Sequence, residues 1–145
     1  MRKLLVLMIM VAVAVPLLLA AEVDREEAWK KYDDAVKKGL PKTAIAVLEP
    51  IITDAIKEKA YGEAIRAIGL KISLEGNIQG NKPEEKIVRM EQAIEDAPRQ
   101  MKPVLSAVLA NWYWHYFQQN RYRLVRRTAT ATAPGSDLTT WDLPR

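Results

Sequence analysis

Apolar residues recur at intervals of three and four along most of the chain, a spacing that places them on one face of an α-helix. No stretch shows the sustained alternation of apolar and polar residues that is typical of a strand. In the first helical segment, Asp24 and Glu27 have the spacing of a capping box, and Gly39 predicts the end. Its apolar positions are Trp29, Tyr32 and Val36. On its other face, acidic residues stand four positions before basic residues, a pattern typical of a helix face that is exposed to solvent.

The second helical segment starts at Pro41, a residue that suits the first turn of a helix. Pro50 lies inside this segment and predicts a kink or a break near residues 47–49, because proline cannot donate the helical hydrogen bond. The apolar stripe is wide enough to need neighbours on more than one side, and consists of Ala44, Ile45, Leu48, Ile51, Ile52, Ala55 and Ile56.

Three further helices follow. The third is expected from about Ala60 to a glycine-bearing loop at residues 76–82, and the fourth from Pro83 to Pro98. The fifth carries a long stripe made of Val104, Leu105, Val108, Leu109, Trp112, Tyr113, Tyr116 and Phe117. Short connections between helices of similar length predict antiparallel neighbours, hence a helical-hairpin, tetratricopeptide-like array of about five helices over residues 22–127.

The leading segment has the layout of a secretory signal peptide. Arg2 and Lys3 precede an apolar run at residues 4–19, and Ala20-Ala21 then stand before a charged stretch. The run is at the short edge of the roughly 17–25 residues that span a bilayer, which favours cleavage of residues 1–21 over retention as a membrane anchor. We therefore expect an exported protein, either periplasmic or at the cell surface or secreted, that meets the membrane only through an uncleaved leader.

The amino-acid composition limits the kinds of site and partner that this chain can have. The chain of 145 residues contains 22 basic and 18 acidic side chains, and loss of Arg2 and Lys3 with the leader lowers the formal net charge from +4 to +2, so a preference for polyanions is not indicated. Because cysteine is absent, disulfides, thiolate metal sites and a lipid-modified cysteine are excluded.

Candidate catalytic groups are few. His115 is the only histidine, and its place among aromatic residues on a helix favours a partly buried packing role over a general base. Residues 76–82 lack the spacing of a phosphate-binding loop, and adjacent acids such as Asp33 and Asp34 diverge by about 100° on a helix. We expect a non-enzymatic protein with no catalytic, cofactor-binding or metal-binding residues.

Aromatic rings and arginines interleave between residues 111 and 128, a mixture that could stack on bases and hold phosphates. Spacing disfavours nucleic-acid binding, because most of the rings continue the aliphatic stripe and should point into the core, while Trp114 and Tyr122 are expected to be the exposed or interfacial rings. Arginines at the end of a helix also suit its dipole. The preferred use of this stretch is contact with a neighbouring domain or a partner protein through Trp114, Arg121, Tyr122, Arg123, Arg126 and Arg127.

Several stretches, in this order, resemble the helical N-terminal region of bacterial alpha-2-macroglobulin-like proteins: W-K-K (29–31), K-K-G-L-P-K-T-A (37–44), E-K-A-Y-G-E-A (58–64), A-N-W-Y-W-H-Y-F-Q-Q-N-R-Y-R (110–123) and the W-D-L-P-R end. The resemblance implies membership of a long exported polypeptide that traps proteases with β-sandwich domains, a bait segment and often a thioester. None of those parts is matched by a residue of this sequence.

Residues 128–145 have the composition of a flexible linker that leads into a following element, with Asp137 and two threonines as caps before Trp141 and Leu143. The leading hypothesis is therefore a scaffold or docking module at the front of an alpha-2-macroglobulin-like protein. The alternative is a stand-alone periplasmic helical-repeat adaptor whose groove binds a protein or peptide partner.

Overall fold

A computed structural model describes residues 25–80, 82–127 and 137–141. This part of the chain holds five α-helices, one short 3-10 helix and no strand, which confirms the predicted all-α class. The predicted leader and the Asp24 cap lie outside it. None of the helices described is both long and apolar enough to span a bilayer. The elements are α1 (25–37), α2 (Pro41–Lys57), α3 (Tyr61–Ile78), α4 (Pro83–Asp96), α5 (Lys102–Arg126) and the 3-10 helix (Leu138–Thr140).

The chain divides into two compact units, and the division falls within α2, between Ile51 and Ile52. In the first unit, Trp29 and Tyr32 meet edge to face with ring centroids 5.6 Å apart. Helix α1 ends at residue 37, and the predicted stop, Gly39, lies in the turn that closes it. The glycine adopts a φ of 67°, which only glycine takes at little cost.

The second unit is built around α3, α4 and α5. Helix α4 packs against α3 on one side and α5 on the other. Buried side chains from the end of α2, from these three helices and from the α4–α5 turn form one core, namely Ala55, Ala64, Ile72, Met90, Met101 and Leu105. Each of these helices thus buries its apolar stripe against the helices that precede or follow it in the sequence.

Pro50 does not break α2, which continues unbroken from Pro41 to Lys57. Of the predicted kink or break near residues 47–49, the break is therefore wrong. Pro50 and Ala46 are both exposed, so water can reach the carbonyl of Ala46, which loses its helical partner at Pro50.

The glycine-bearing loop is shorter than predicted, because α3 runs through Gly76 to Ile78. Gly76 is buried beside α4, and a Cβ there would stand 2.6 Å from Cγ of Lys86. Gly80, with a φ of 90°, is the residue that makes the turn. Gly76 therefore serves close packing of two helices and not a reversal of the chain.

The predicted buried stripes are mostly correct, with two exceptions. Val36 and Val104 are 44% and 51% exposed. Each is adjacent in sequence to a buried residue, Ala35 or Leu105, and successive helical residues differ in direction by about 100°. A stripe inferred from spacing alone is therefore wider than the surface that the neighbouring helix covers.

Candidate functional site: the two faces of helix α5

Helix α5 separates its aromatic residues onto two faces. Tyr116 is buried and Trp112 and Tyr113 are half-buried on the inner face, where they pack against Ile87 of α4. Trp114 and Tyr122 are 58% and 69% exposed, which confirms the prediction that these two rings face outward. The long apolar pattern of α5 thus serves two surfaces.

The outward residues form a continuous stripe. They repeat at intervals of three and four, and every one of them is exposed. We call this stripe the α5 outer face: Val104, Ala107, Asn111, Trp114, Gln118, Arg121, Tyr122 and Val125. At its centre Trp114 lies 5.8 Å from Phe117, and at its end the guanidinium of Arg126 sits 4.2 Å above the ring of Tyr122. No acidic residue occurs anywhere in α5.

The arginines of the predicted contact cluster have different roles. Arg121 and Arg126 are exposed beside the outer face. Arg123 turns inward and donates from Nη2 to the hydroxyl of Tyr116 at 2.6 Å. Arg127 donates from Nη1 to the carbonyl oxygens of Thr139 and, at 3.5 Å, Trp141. Arg123 and Arg127 are therefore engaged within the chain, which the sequence did not indicate.

The partner of Arg127 is residues 137–141, which we call the docked segment, whereas Arg123 contacts Tyr116 of α5. The side chain of Asp137 caps its 3-10 helix by accepting from the amide of Thr139 at 2.9 Å, as the sequence predicted for Asp137. Leu138 is only 2% exposed, between Ile87 and Tyr116. These five residues lie in the stretch that was expected to be a flexible linker or the start of a following element; they pack against α4 and α5.

Two further contacts seat the docked segment. The ring of Trp141 stacks on Tyr113 with centroids 5.8 Å apart and planes 12° from parallel. The hydroxyl of Tyr116 donates to the carbonyl oxygen of Leu138 at 3.4 Å. Tyr113 in turn donates to Oε1 of Glu91 at 2.6 Å. Sequence reasoning missed this site, because its only local signal was the Asp-Leu-Thr-Thr cap.

The tyrosines of this site are hydrogen-bond donors. Burial, followed by the hydrogen bond to Glu91, raises the pKa of Tyr113 above its ordinary value. Burial and the Glu84 carboxylate raise the pKa of Tyr116, although Arg123 opposes the rise. Both hydroxyls stay protonated at neutral pH, as a donor to a carboxylate or a carbonyl must.

The only histidine lies elsewhere. His115 is exposed, so the expected partly buried position is wrong; its helical direction falls between the inner and outer faces. It lines a shallow hollow of about 210 Å³ with Lys86 and Gln119. Within the described residues, no group of three or more histidine or acidic side chains could hold a metal ion.

A second surface feature lies in the same unit, between the end of α2 and helices α3 and α4. It is a groove of about 400 Å³ with apolar residues such as Ile56, Ile68 and Ala93 along it. Arg89 and Glu75 form an ion pair at 2.8 Å across one end, and Lys71 and Asp96 are also on its edge. We call it the α2–α4 groove.

Comparison of the chain with models of protein families, with curated proteins and with solved structures found no match. The structure alone therefore defines its class: an all-α protein whose helix α5 has an inner face covered by a segment of its own chain and an exposed outer face that mixes aromatic, aliphatic and polar residues.

Proposed function

We propose that this chain is a non-catalytic helical module that works by docking to another protein through the α5 outer face. The observation that carries the proposal is that α5 has apolar and aromatic residues on opposite sides, while α4 and the docked segment cover only one of them. Large apolar and aromatic side chains that stand exposed side by side often mark a site of protein–protein interaction.

The chemistry of the outer face specifies the kind of partner. Trp, Tyr and Arg are the residue types that contribute most at protein interfaces, and all three are present as Trp114, Tyr122 and Arg121. Because α5 has no acid, its field is positive, and an acidic surface with an apolar centre complements it. The ring of Tyr122 already holds Arg126 in place, which lowers the entropy lost on binding.

The family resemblance extends this proposal to the biological setting. The module would be exported, its helices would form a tetratricopeptide-like hairpin array, and its partner would be the downstream part of an alpha-2-macroglobulin-like polypeptide. In that setting it acts as a scaffold and takes no part in protease capture. An immunoblot of envelope fractions tests this part, since a native product far longer than 145 residues is expected.

Site-specific photo-crosslinking in the producing cells tests the docking surface itself. A photoreactive side chain at Trp114 or Tyr122 should give one discrete crosslink to an acidic surface, which mass spectrometry locates either in another protein or in a downstream part of the same polypeptide. Gln119 is the matched control, because it is exposed on the same helix but points away from the outer face. Equal labelling from Gln119 and Trp114, or none from either, would reject the outer face as a docking surface.

The α2–α4 groove supports a second candidate, an adaptor that binds a partner peptide. Its apolar length and mixed charged edge fit an amphipathic segment. Gln92 lies on the edge of this groove and is exposed, so a crosslinker placed there reports on it. Strong crosslinking from Gln92 with none from Trp114 would favour the adaptor over the outer-face module.

A further inference from the structure

The hollow that holds the docked segment has the features of a peptide-recognition site. Two side chains of the segment act as anchors, three residues apart: Leu138 is buried between Ile87 and Tyr116, and Trp141 stacks on Tyr113. An anchor pair spaced in this way on one helical turn is how grooves on helical proteins read short segments.

The hollow also holds the backbone of its occupant. Tyr116 donates to the carbonyl oxygen of Leu138, and Arg127 donates to those of Thr139 and Trp141. These three carbonyls belong to a turn that its own Asp137 side chain caps through Thr139. The hollow therefore recognises a capped turn by its carbonyls and two apolar side chains by shape, features that any chain with the same turn can present.

Residues 128–136 join the occupant to α5, and Leu138 is the single buried side chain among residues 137–141. A short tether gives an intramolecular ligand an effective concentration of about millimolar, so the segment excludes a free competitor without binding tightly itself. Few buried contacts also place a segment among the parts of a protein that open most easily.

We infer that the hollow between α4 and α5 is a docking site for a peptide with an acid-capped turn and with leucine and tryptophan three residues apart, closed in this chain by residues 137–141. The site is separate from the α5 outer face and does not depend on it. Opening of the docked segment exposes the hollow to a partner that carries the same turn.

A binding assay on the full chain tests this inference. The probe is a fluorescently labelled peptide spanning residues 134–145. In the chain, Leu138→Asp expels the segment by placing a charge where a buried leucine stands. We expect the probe to bind this variant with a Kd at least tenfold lower than that for wild type, whose own segment competes. Ser106→Asp adds the same charge at an exposed position of α5 and should behave as wild type.

Two variants check that the probe enters the hollow. A probe carrying Leu138→Asp should not bind, and Tyr113→Ala in the opened chain should weaken binding at least fivefold through loss of the stacking on Trp141. Circular dichroism establishes that each variant keeps its helices. If Leu138→Asp loses them, Trp141→Ala opens the segment more gently and is measured in the same way.

Three results would overturn the inference: equal probe affinity for folded Leu138→Asp and wild type, equal binding of the normal and Leu138→Asp probes, or no effect of Tyr113→Ala. Size-exclusion chromatography tests whether two copies of the chain exchange their docked segments. A dimer of wild type that Leu138→Asp converts to a monomer would show the occupant to be the segment of a second copy and would overturn intramolecular closure.

Discussion

Several residues of this protein are explained by backbone conformation or by a single polar contact. Lys59, at the end of α2, has a φ of 63°, the left-handed region that glycine favours. The amide of Ala60 donates to the carbonyl of Ala55 at 2.8 Å and that of Lys59 to Ile56 at 3.1 Å, the same closing pattern that Gly39 makes after α1. One helix ends on the expected residue type and the other does not.

Lys59→Gly should therefore stabilise the protein. Relief of the left-handed strain outweighs the added freedom of glycine in the unfolded chain, and we expect a gain of about 0.5–1 kcal/mol in the free energy of unfolding. Urea denaturation measures it. Ala46→Gly, inside α2 at an exposed position, is the control and should lose about 1 kcal/mol. Destabilisation by Lys59→Gly would contradict the strained conformation.

The hydrogen bond between Tyr113 and Glu91 predicts a dependence of stability on pH. Tyr113→Phe removes it and should lower the free energy of unfolding by about 1 kcal/mol at neutral pH. The folded-state pKa of Tyr113 is raised above 10.0, so the unfolded state loses this proton first as the pH rises. The stabilising contribution is complete below pH 10 and is lost above it.

Denaturation of both proteins from pH 7 to 11 tests this sign. The difference in stability between wild type and Tyr113→Phe should be constant up to about pH 9 and should shrink above about pH 10. Tyr122→Phe is the matched control for loss of a tyrosine hydroxyl, because that hydroxyl is on the exposed outer face; its difference from wild type should be near zero at neutral pH. A gap that widens above pH 10 would disprove the assignment.

Contacts between helices account for packing features that no single residue explains. Helix α3 approaches α4 at Gly76, where the side chain of Lys86 occupies the space that a Cβ would need, and Lys86 donates to Oδ1 of Asn77 at 3.1 Å. Further along the same interface Arg89 bridges Glu75 and Gln79, each at 2.8 Å. The end of α3 is thus held on α4 by long polar side chains that lie flat across it.

The effect of Gly76→Ala on stability should change sign when the neighbouring residue Lys86 is replaced by alanine. In wild type the new methyl group displaces Lys86, and we expect a loss of about 1 kcal/mol. In a Lys86→Ala background the space is open and alanine is the better helix former, so the same change should gain about 0.5–1 kcal/mol. A double-mutant cycle by thermal or urea unfolding measures the coupling. Equal effects in both backgrounds would mean that the two side chains do not compete.

At the scale of the whole molecule, the second unit includes chain from beyond its last long helix. The docked segment places Leu138 in a small core with Ile87 and Tyr116, so residues remote in sequence complete the packing of α4 on α5. Within residues 82–127 and 137–141, the inner face of α5 is covered, while its outer face is exposed. This asymmetry underlies both the proposed docking function and the closed hollow.

Leu138→Ala should therefore destabilise the second unit by about 2–3 kcal/mol, as expected for a buried leucine in a small core. Helix content by circular dichroism should stay the same, since no helix depends on this residue for its hydrogen bonds. Val125→Ala, which shortens an exposed aliphatic side chain on α5, is the control and should change stability by less than about 0.5 kcal/mol. Similar losses in both variants would argue against the docking of residues 137–141.

The order of residues along the chain determined which segments of this protein form helices. The three-and-four spacing, Pro41, Pro83 and Gly39 predicted where helices begin and end, because a helical hydrogen bond joins residues only four apart. The same spacing predicted that Trp114 and Tyr122 face outward. Composition alone also excluded disulfides and thiolate metal sites, because cysteine is absent, and left few candidate catalytic groups, because there is a single histidine.

Only the tertiary structure decided how those helices are used. The inward turn of Arg123 and Arg127, the seating of Leu138 and the close packing at Gly76 each depend on atoms brought together from distant parts of the chain. The left-handed Lys59 and the unbroken course of α2 through Pro50 likewise oppose local preference. Spacing along the chain carries no information about such contacts, because the free energy that selects them comes from packing between elements.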